Sequence, residues 1–459
     1  MGVERRDGRE VDGAKSTETE ATGARVPPTR LAKPAPETAA RWAWVEPSVW
    51  TPRMLAALET GVKGGTWFSL MDKVYTPRNL RAAFARAKAN RGAPGVDHQT
   101  IAMIEARLAE NVQRLEESLR NGTYRPQAVL RTYIPKPGSR QRRPLGIPTV
   151  RDRVVQGALR NVLEPIFERD FAEHSYGFRP GRGCKDALRR VDALLKAGHT
   201  YVVDADLKSY FDTIPHQRLM ELVGRKVSDG KVLALIRQFL KQEVLEGMSF
   251  WTPEEGTPQG AVISPLLSNI YLDPLDHLMA QEGFAMVRYA DDFVVLCRSA
   301  EEAQRALEVI RRWTSEAGLT LHPEKTRIVN SMETGFDFLG YHFVKHRRFP
   351  RKKSLAKFRA NIRAKTRRNN GHSLSQIIDH VNRTLRGWFG YFKHSSPTAF
   401  RDLDGWVRMR LRSILRRRQH RRGRACGADH HRWPNAFFAE QGLYNLVQAH
   451  AYACQSSRR

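Results

Sequence analysis

Three aspartates at two places in the chain have the side chains and the setting for divalent-metal chemistry. Asp206 directly follows Val202-Val203-Asp204-Ala205, and Asp291 and Asp292 lie at the bend between two mainly apolar runs. Mg²⁺ prefers carboxylate oxygens and water as ligands. Two such ions can lower the pKa of an attacking 3′-hydroxyl and hold a triphosphate, which is the chemistry of nucleotidyl transfer. Taken alone, Tyr289-Ala290-Asp291-Asp292 could equally be a polar turn.

The elements around these acids predict a mixed α and β arrangement. Residues 286–289 and 293–296 read as a hairpin with the acids at its tip, and 201–203 reads as a third strand. Carboxylates from separate strands can then converge at one edge of a sheet. Other patterns predict short strands near 133–134, 145–147 and 336–343, and helices near 154–167 and 301–317.

Further motifs accompany the acids in a fixed order. In chain order they are Gly92-Ala93-Pro94-Gly95-Val96-Asp97, Ile134-Pro135-Lys136-Pro137, Arg143-Pro144-Leu145-Gly146-Ile147-Pro148, Tyr176-Gly177-Phe178-Arg179-Pro180, the segment from Asp206 to Asp212, Thr257-Pro258-Gln259-Gly260, Ile263-Ser264-Pro265-Leu266-Leu267-Ser268-Asn269, Tyr289-Ala290-Asp291-Asp292, Lys325 and Phe338-Leu339-Gly340-Tyr341. Each motif alone is weak, but their number and order are specific. Over about residues 70–425 the set resembles a reverse transcriptase, and more narrowly the protein encoded by bacterial group II introns.

The resemblance implies a metal site at the matching acids. Asp206 and Asp291 would be the principal ligands of two Mg²⁺ ions, with the Leu207 carbonyl oxygen as a possible third ligand. Asp292 would support the metal site or the primer end. The expected cofactor is therefore a pair of Mg²⁺ ions, and the expected substrates are deoxynucleoside triphosphates.

The resemblance also implies a nucleotide pocket and a primer site. Lys136 and Arg143 match positions that clamp the triphosphate, although each could be an ordinary surface charge. A point charge and a fork-shaped donor both suit phosphate oxygens. Gln259 and Gly260 match a segment that lines the pocket, and Phe211 matches the residue beneath the deoxyribose. The positions that match the primer site are Lys325, Leu339 and Gly340.

The charge of the chain points to nucleic acid. The formal net charge is +29, and residues 341–459 contain 28 Lys and Arg against 5 Asp and Glu. A solvated helix face needs only a few charges, so this surplus is too large for that explanation. A basic block of this size usually meets a polyphosphate backbone.

The C-terminal region combines apolar helical stripes with arginines. A capping box at Ser373 and Gln376 begins one helix, and a second helix is predicted over about 400–420. The passage from Asn382 to Phe392 resembles the maturase domain of group II intron proteins, which holds intron RNA during splicing. The predicted RNA contacts are Arg383, Arg386, Lys393, Arg416, Arg417 and Arg418.

Composition excludes some cellular compartments. The sequence contains no run of 18 apolar residues, so it predicts no membrane span. The first forty residues also lack an apolar stretch of the kind found in signal peptides. Cys426 with His430 and His431 invites a zinc interpretation, but paired cysteines at ligand spacing are missing. We therefore expect a cytoplasmic ribonucleoprotein, associated with the nucleoid when it acts on DNA.

The predicted fold is an α+β right-hand polymerase followed by an α-helical thumb. The predicted divisions are a disordered tail over 1–40, an N-terminal extension and fingers over 41–195, a palm with an antiparallel sheet over 196–345, a thumb with maturase function over 346–425 and a short C-terminal segment over 426–459. Many relatives end in an HNH endonuclease with paired cysteines and histidines. Only about 35 residues follow the arginine run, so we expect no such domain in this sequence.

The expected function is to bind group II intron RNA, assist its splicing and copy it into DNA from a 3′-hydroxyl at the DNA target. Three alternatives remain open. The chain could be a reverse transcriptase of a retron, a diversity-generating element or a CRISPR locus, although the maturase-like segment argues against this. It could be a splicing-only maturase, or a basic RNA-packaging protein that would not need acids in this order.

Overall fold

The computed structural model describes residues 40–62, 64–135, 142–421, 423 and 425–456. The N-terminal part is mostly helical and contains one hairpin. Its elements are α1 (Pro52–Thr60), α2 (Met71–Val74), α3 (Pro77–Ala89), α4 (Ile101–Ala106), α5 (Leu108–Arg120), β1 (Val129–Pro135), β2 (Arg142–Ile147), α6 (Val150–Glu168) and α7 (Cys184–Lys196). The predicted strands and the long helix after them are therefore confirmed. The sequence also predicts a turn at Pro137-Gly138-Ser139 between these two strands, and this turn lies outside the described residues.

The middle of the chain forms the palm. Its elements are β3 (Tyr201–Asp206), a 3₁₀ turn (Tyr210–Asp212), α8 (His216–Gly224), α9 (Gly230–Leu240), β4 (Val244–Glu246), β5 (Ser249–Trp251), α10 (Ser264–Gln281), β6 (Ala285–Tyr289), β7 (Asp292–Cys297), α11 (Ala300–Glu316) and β8 (Arg327–Asn330). Strands β6, β7, β3 and β8 form one antiparallel sheet in that order. Strands β2, β1, β4 and β5 form a second sheet in the fingers.

The palm sheet is buried on both faces because its side chains alternate between two cores. Val203, Ala205 and Phe293 pack into the larger core with α10 and α11. Val202 and Val294 pack on the other face with α7. The acids lie beyond these buried positions, at the end of β3 and at the turn between β6 and β7.

A second hairpin follows the palm sheet. The prediction of a single strand over 336–343 is wrong. This segment forms two antiparallel strands, β9 (Phe336–Phe338) and β10 (Tyr341–Val344). Leu339 and Gly340 between them have φ angles of 46° and 86°. Two consecutive residues in the left-handed region make a tight hairpin turn, which the continuous apolar pattern hides. Strand β11 (Arg347–Pro350) completes this small sheet.

The C-terminal region is helical, as predicted. Its elements are α12 (Lys352–Lys365), α13 (Leu374–Phe392), α14 (Pro397–Arg418), α15 (Gly427–Arg432), α16 (Asn435–Glu440) and α17 (Leu446–Ser456). Ser373 and Gln376 form the expected capping box. Trp433, Phe438 and Leu446 are buried in the same core as α13 and α14. Residues 426–456 therefore pack as part of the helical domain rather than beside it.

A buried ion pair positions the turn between β6 and β7. Arg288 is fully buried, and its Nε atom donates to Asp276 Oδ1 of α10 at 2.7 Å. Its Nη1 atom donates to Asn269 Oδ1 at 3.0 Å and to the Ala290 carbonyl oxygen at 2.9 Å. Ala290 has a φ of 59°, so the turn adopts a backbone conformation that non-glycine residues rarely take. The arginine thus ties a strained turn to a buried helix.

The loop that contains Tyr176 and Gly177 covers the same turn. The Tyr176 amide donates to the Arg288 carbonyl oxygen at 2.9 Å, and Asn269 Nδ2 donates to the Gly177 carbonyl oxygen at 2.9 Å. A Cβ atom on Gly177 would overlap the backbone nitrogen of Ala290. Glycine is needed there because two backbones are in direct contact.

None of the helices in the described part of the chain has both the length and the hydrophobicity to span a lipid bilayer. The architecture is an α+β palm and fingers followed by a helical domain, so the predicted fold class is confirmed.

Replacing Gly177 with alanine should lower the thermal unfolding midpoint, because the new methyl group must displace the turn at Ala290. Overpacking of this kind costs about 1–3 kcal/mol. Gly405→Ala is the matched control, since Gly405 lies within α14 and has open space around it. That change should raise stability by about 0.5–1 kcal/mol through helix propensity. Calorimetry that found both variants equally stable would show that the close contact at Gly177 is absent.

Candidate active site

The acids meet where β3 and β7 end. Asp206 and Asp292 are directly paired in the register of these strands, and Asp291 lies in the turn beside them. Asp204 lies two residues before Asp206 and therefore faces the same side of the sheet. Four carboxylates from two strands thus share one end of the palm sheet. The structure brings the three predicted acids together and adds a fourth.

Two basic side chains balance part of this negative charge. Lys325 Nζ lies 2.5 Å from Asp206 Oδ2, and Arg327 Nε lies 3.4 Å from Asp204 Oδ2. Lys325 was expected near the primer, and its ammonium group contacts one of the acids directly. Each pair is partly exposed, so its contribution to stability is small.

Crowding changes the protonation of the remaining acids. The surrounding protein atoms, and after them the carboxylates of Asp204, Asp291 and Asp206, raise the pKa of Asp292 to about 7. Desolvation is also the main cause of the raised pKa values of Asp291 and Asp204. Close carboxylates that destabilise one another's ionised forms are a fitting ligand set for divalent cations, which would neutralise them. As placed in the described residues, no three His, Cys, Asp or Glu side chains form a ready-made metal cage.

A cavity of about 400 Å³ lies between the fingers sheet and the loops that follow β3 and β5. Phe211, Asp212 and Gln259 line it. Phe211 is only 8% exposed, and its ring lies edge-on to Phe178 at 6.5 Å between centroids. The predicted pocket residues Phe211 and Gln259 are therefore neighbours in space.

Arg143 and Gly260 contact residues that line this cavity, and Arg143 is also close enough to Asp291 to interact with its carboxylate electrostatically. Arg143 Nε donates to Gln259 Oε1 at 2.9 Å, and the Gly146 amide donates to the Gln259 carbonyl oxygen at 2.6 Å. Gly260 has a φ of 108°, and a Cβ atom there would overlap the Gly146 carbonyl oxygen. Lys136, the other predicted triphosphate ligand, lies outside the described residues.

A groove of about 570 Å³ leads from Asp292 to the helical domain. Leu339 and Gly340 line one side of the groove. Two basic residues line the other side, Lys357 of α12 and Arg351, which directly precedes α12. Tyr391 Oη donates to the Leu339 carbonyl oxygen at 2.6 Å, so α13 holds the hairpin turn in place. Leu339 and Gly340, two of the three residues predicted at the primer site, therefore line a groove that begins at Asp292.

The predicted RNA-contact residues do not all share one environment. Arg383, Arg386, Arg417 and Arg418 are exposed, and Lys393 is half-buried. Arg416 forms a 2.9 Å ion pair with the buried carboxylate of Asp429. This pair joins α14 to α15, so Arg416 also stabilises the helical domain. Its role as an RNA contact stays a prediction.

Three residues of the site escaped the sequence analysis. Asp204 carried a usable signal, since two acids two residues apart on a strand share a face. Arg288 also carried one, because a charged residue between apolar neighbours on a buried strand needs a partner. Asp212 gave no local signal, because its partner Gln259 lies 47 residues away in the sequence.

Comparison with known families matches two separate parts of the chain to two domain types. Residues 134–343 match the family described as "Reverse transcriptase (RNA-dependent DNA polymerase)". Residues 355–433 match "Group II intron, maturase-specific domain". The first match contains all the acids described above, and the second covers α12 to α14 and continues to Trp433.

Individual relatives agree with this division. Protein YkfC of Escherichia coli K12 is 35% identical over 319 residues, which is 61% of this chain and 83% of YkfC. Group II intron-encoded protein LtrA of Lactococcus lactis subsp. cremoris is 44% identical over 172 residues, which is 38% of this chain and 28% of LtrA. A 91 kDa protein in the cob intron of Schizosaccharomyces pombe is 30% identical over 366 residues, which is 66% of this chain and 43% of that protein.

These matches confirm the family that the ordered motifs predicted, and they assign RNA-directed DNA polymerase activity to the palm and fingers. The chain belongs to the group II intron-encoded reverse transcriptases that carry a maturase-specific domain.

Proposed function

We propose that Asp206 and Asp291 hold two Mg²⁺ ions and that the chain copies group II intron RNA into DNA at this site. The observation that carries the proposal is the pairing of Asp206 with Asp292 at the end of β3 and β7, with Asp291 beside them. When bound, the two ions lower the pKa of the primer 3′-hydroxyl and stabilise the leaving pyrophosphate. Asp292 supports this site, and the Leu207 carbonyl oxygen is a further candidate ligand.

The pocket beside the acids receives the deoxynucleoside triphosphate. Arg143 supplies a fork-shaped donor for phosphate oxygens, and Lys136 matches a second cation position. Gln259 and Gly260 line the pocket, and the contact between Gly260 and Gly146 lets the two backbones lie close together. The primer end lies toward Lys325 and the turn at Leu339 and Gly340, whose groove opens from Asp292.

The helical domain holds the intron RNA and assists its splicing. Its exposed arginines, Arg383, Arg386, Arg417 and Arg418, remain candidate phosphate contacts. Lys393 remains a weaker candidate because it is half-buried. The intron RNA would serve both as the splicing partner and as the template, and the primer would be a 3′-hydroxyl at the DNA target.

The alternatives are disfavoured for different reasons. A splicing-only maturase would not need Asp206, Gln259 and Asp291 together beside a nucleotide-sized cavity. Reverse transcriptases of retrons, diversity-generating elements and CRISPR loci would not need the maturase-specific domain that residues 355–433 match. A basic RNA-packaging protein would need neither feature.

Asp291→Ala should abolish DNA synthesis while leaving RNA affinity within about twofold of wild type, because the change removes a metal ligand and no basic contact. Primer extension on a poly(rA)–oligo(dT) substrate with Mg²⁺ measures the first quantity, and filter binding of a structured RNA measures the second. Glu308→Ala, on an exposed face of α11, is the control and should behave as wild type. Extension by Asp291→Ala at the wild-type rate would place the metal site elsewhere.

Phe211 should exclude ribonucleotides, because a 2′-hydroxyl against an aromatic face clashes and loses its hydrogen bonds to water. Phe211→Val should raise the ratio of ribonucleotide to deoxyribonucleotide incorporation roughly ten- to hundredfold, the equivalent of about 1–3 kcal/mol. Phe211→Tyr should change this ratio much less. Since the ring is also part of the palm core, thermal stability must be measured in parallel. A Val variant that loses stability without changing sugar choice would leave Phe211 as a core residue only.

A further inference from the structure

Three polar side chains form a line across the nucleotide pocket. Arg143 Nε donates to Gln259 Oε1 at 2.9 Å. Gln259 Nε2 in turn lies 3.3 Å from Asp212 Oδ2 and 3.5 Å from Asp212 Oδ1. Arg143 comes from the fingers strand β2, Asp212 from the 3₁₀ turn after β3, and Gln259 from the loop before α10. The line therefore joins three separate segments of the chain.

The chemistry of the two end groups fixes the orientation of the amide between them. A guanidinium can only donate hydrogen bonds, and an ionised carboxylate can only accept them. Arg143 consequently requires the oxygen of the Gln259 amide, and Asp212 requires its nitrogen. If the amide rotated by 180°, both contacts would become repulsive. Asp212 thus determines which atom of Gln259 faces Arg143.

The backbone around Gln259 is held independently of this line. The Thr257 amide donates to the Phe211 carbonyl oxygen at 2.6 Å, and the Gly256 amide donates to the Ile214 carbonyl oxygen at 2.8 Å. The Gly146 amide also donates to the Gln259 carbonyl oxygen at 2.6 Å. Because these bonds secure the loop, the side chain of Asp212 is not needed to hold it. The remaining role of the Asp212 side chain is to orient the side-chain amide of Gln259.

The line also leaves part of the Arg143 guanidinium free for a ligand. Its Nε atom is used by Gln259, and in the described parts of the chain its two Nη atoms make no hydrogen bond. Arg143 is exposed, and a long side chain of this kind otherwise samples many rotamers. Fixing Nε therefore presents the remaining donors in a defined direction, which lowers the entropy lost when phosphate binds.

We infer that Asp212 is a positioning residue for the incoming nucleotide, which acts by orienting the Gln259 amide and, through it, the triphosphate-binding guanidinium of Arg143. The inference rests on the proposed function, because it assumes that this pocket receives the triphosphate. Asp212 itself need not touch the nucleotide.

The test is steady-state extension of oligo(dT) on poly(rA) at varied dTTP. Asp212→Ala should raise the KM for dTTP about tenfold, as expected when one positioning bond to a charged group is lost, and should change kcat by less than about threefold. Asp212→Asn should restore most of the affinity, because its amide oxygen can still accept from Gln259 Nε2. Glu308→Ala, which removes an exposed acid of α11 that does not line this cavity, is the control and should keep the wild-type KM.

A double-mutant comparison separates positioning from a structural role. In a Gln259→Ala background, Asp212→Ala should have no further effect on the KM, because the residue that it orients is gone. An equal rise in KM in both backgrounds, a loss of thermal stability that parallels the loss of activity, or a KM unchanged by Asp212→Ala would each overturn the inference. Absence of extension by the wild-type chain would instead refute the proposed function, so the two failures are distinguishable.

Discussion

The buried guanidinium of Arg288 is the interaction on which the arrangement of the palm depends. A buried charge that loses its partner costs several kcal/mol, so Arg288 requires its bonds to Asp276, Asn269 and the Ala290 carbonyl oxygen at the same time. Those bonds join α10 to the turn that carries Asp291 and Asp292. They also hold Ala290 in a left-handed conformation that it would not adopt by itself. The turn that carries the acids therefore cannot move without leaving the buried charge of Arg288 unpaired.

Opposite charges are separated along this chain, and the separation follows the two tasks of the protein. The acids are crowded at one end of the palm sheet, where desolvation by the surrounding protein, and after it the neighbouring carboxylates, raise the pKa of Asp292 to about 7. The basic surplus is concentrated in residues 341–459, with 28 Lys and Arg against 5 Asp and Glu. Between them runs the groove from Asp292 to α12 and α13. A nucleic acid held by the basic helices can thus reach Asp292 along a groove that is lined by Arg351 and Lys357.

Local patterns predicted much of the fold, because the periodicity of strands and helices is visible in neighbouring residues. The residues of the site came instead from the ordered motifs and the family that they resemble, and their individual roles stay predictions. The hairpin around Asp291, the strand before Asp206 and the apolar stripes of the helices were all readable from that periodicity. The turn at Leu339 and Gly340 was not, since the apolar pattern continues through it. The pairing of Asp212 with Gln259 was also unreadable, because it depends on segments that meet only in the folded chain. Residue types reveal chemistry, but contacts between remote segments require the structure.

The most direct test of the account is the binding of Mn²⁺, a substitute for Mg²⁺, followed by its electron paramagnetic resonance signal in the presence of primer and template. Wild-type protein should bind Mn²⁺ at the palm acids. Asp206→Asn and Asp291→Asn keep the shape of the side chain and remove its charge, so each should weaken this binding at least about tenfold. RNA affinity should stay unchanged in both variants. Variants that bound the same number of Mn²⁺ ions with wild-type affinity would contradict the assignment of the metal site to these acids.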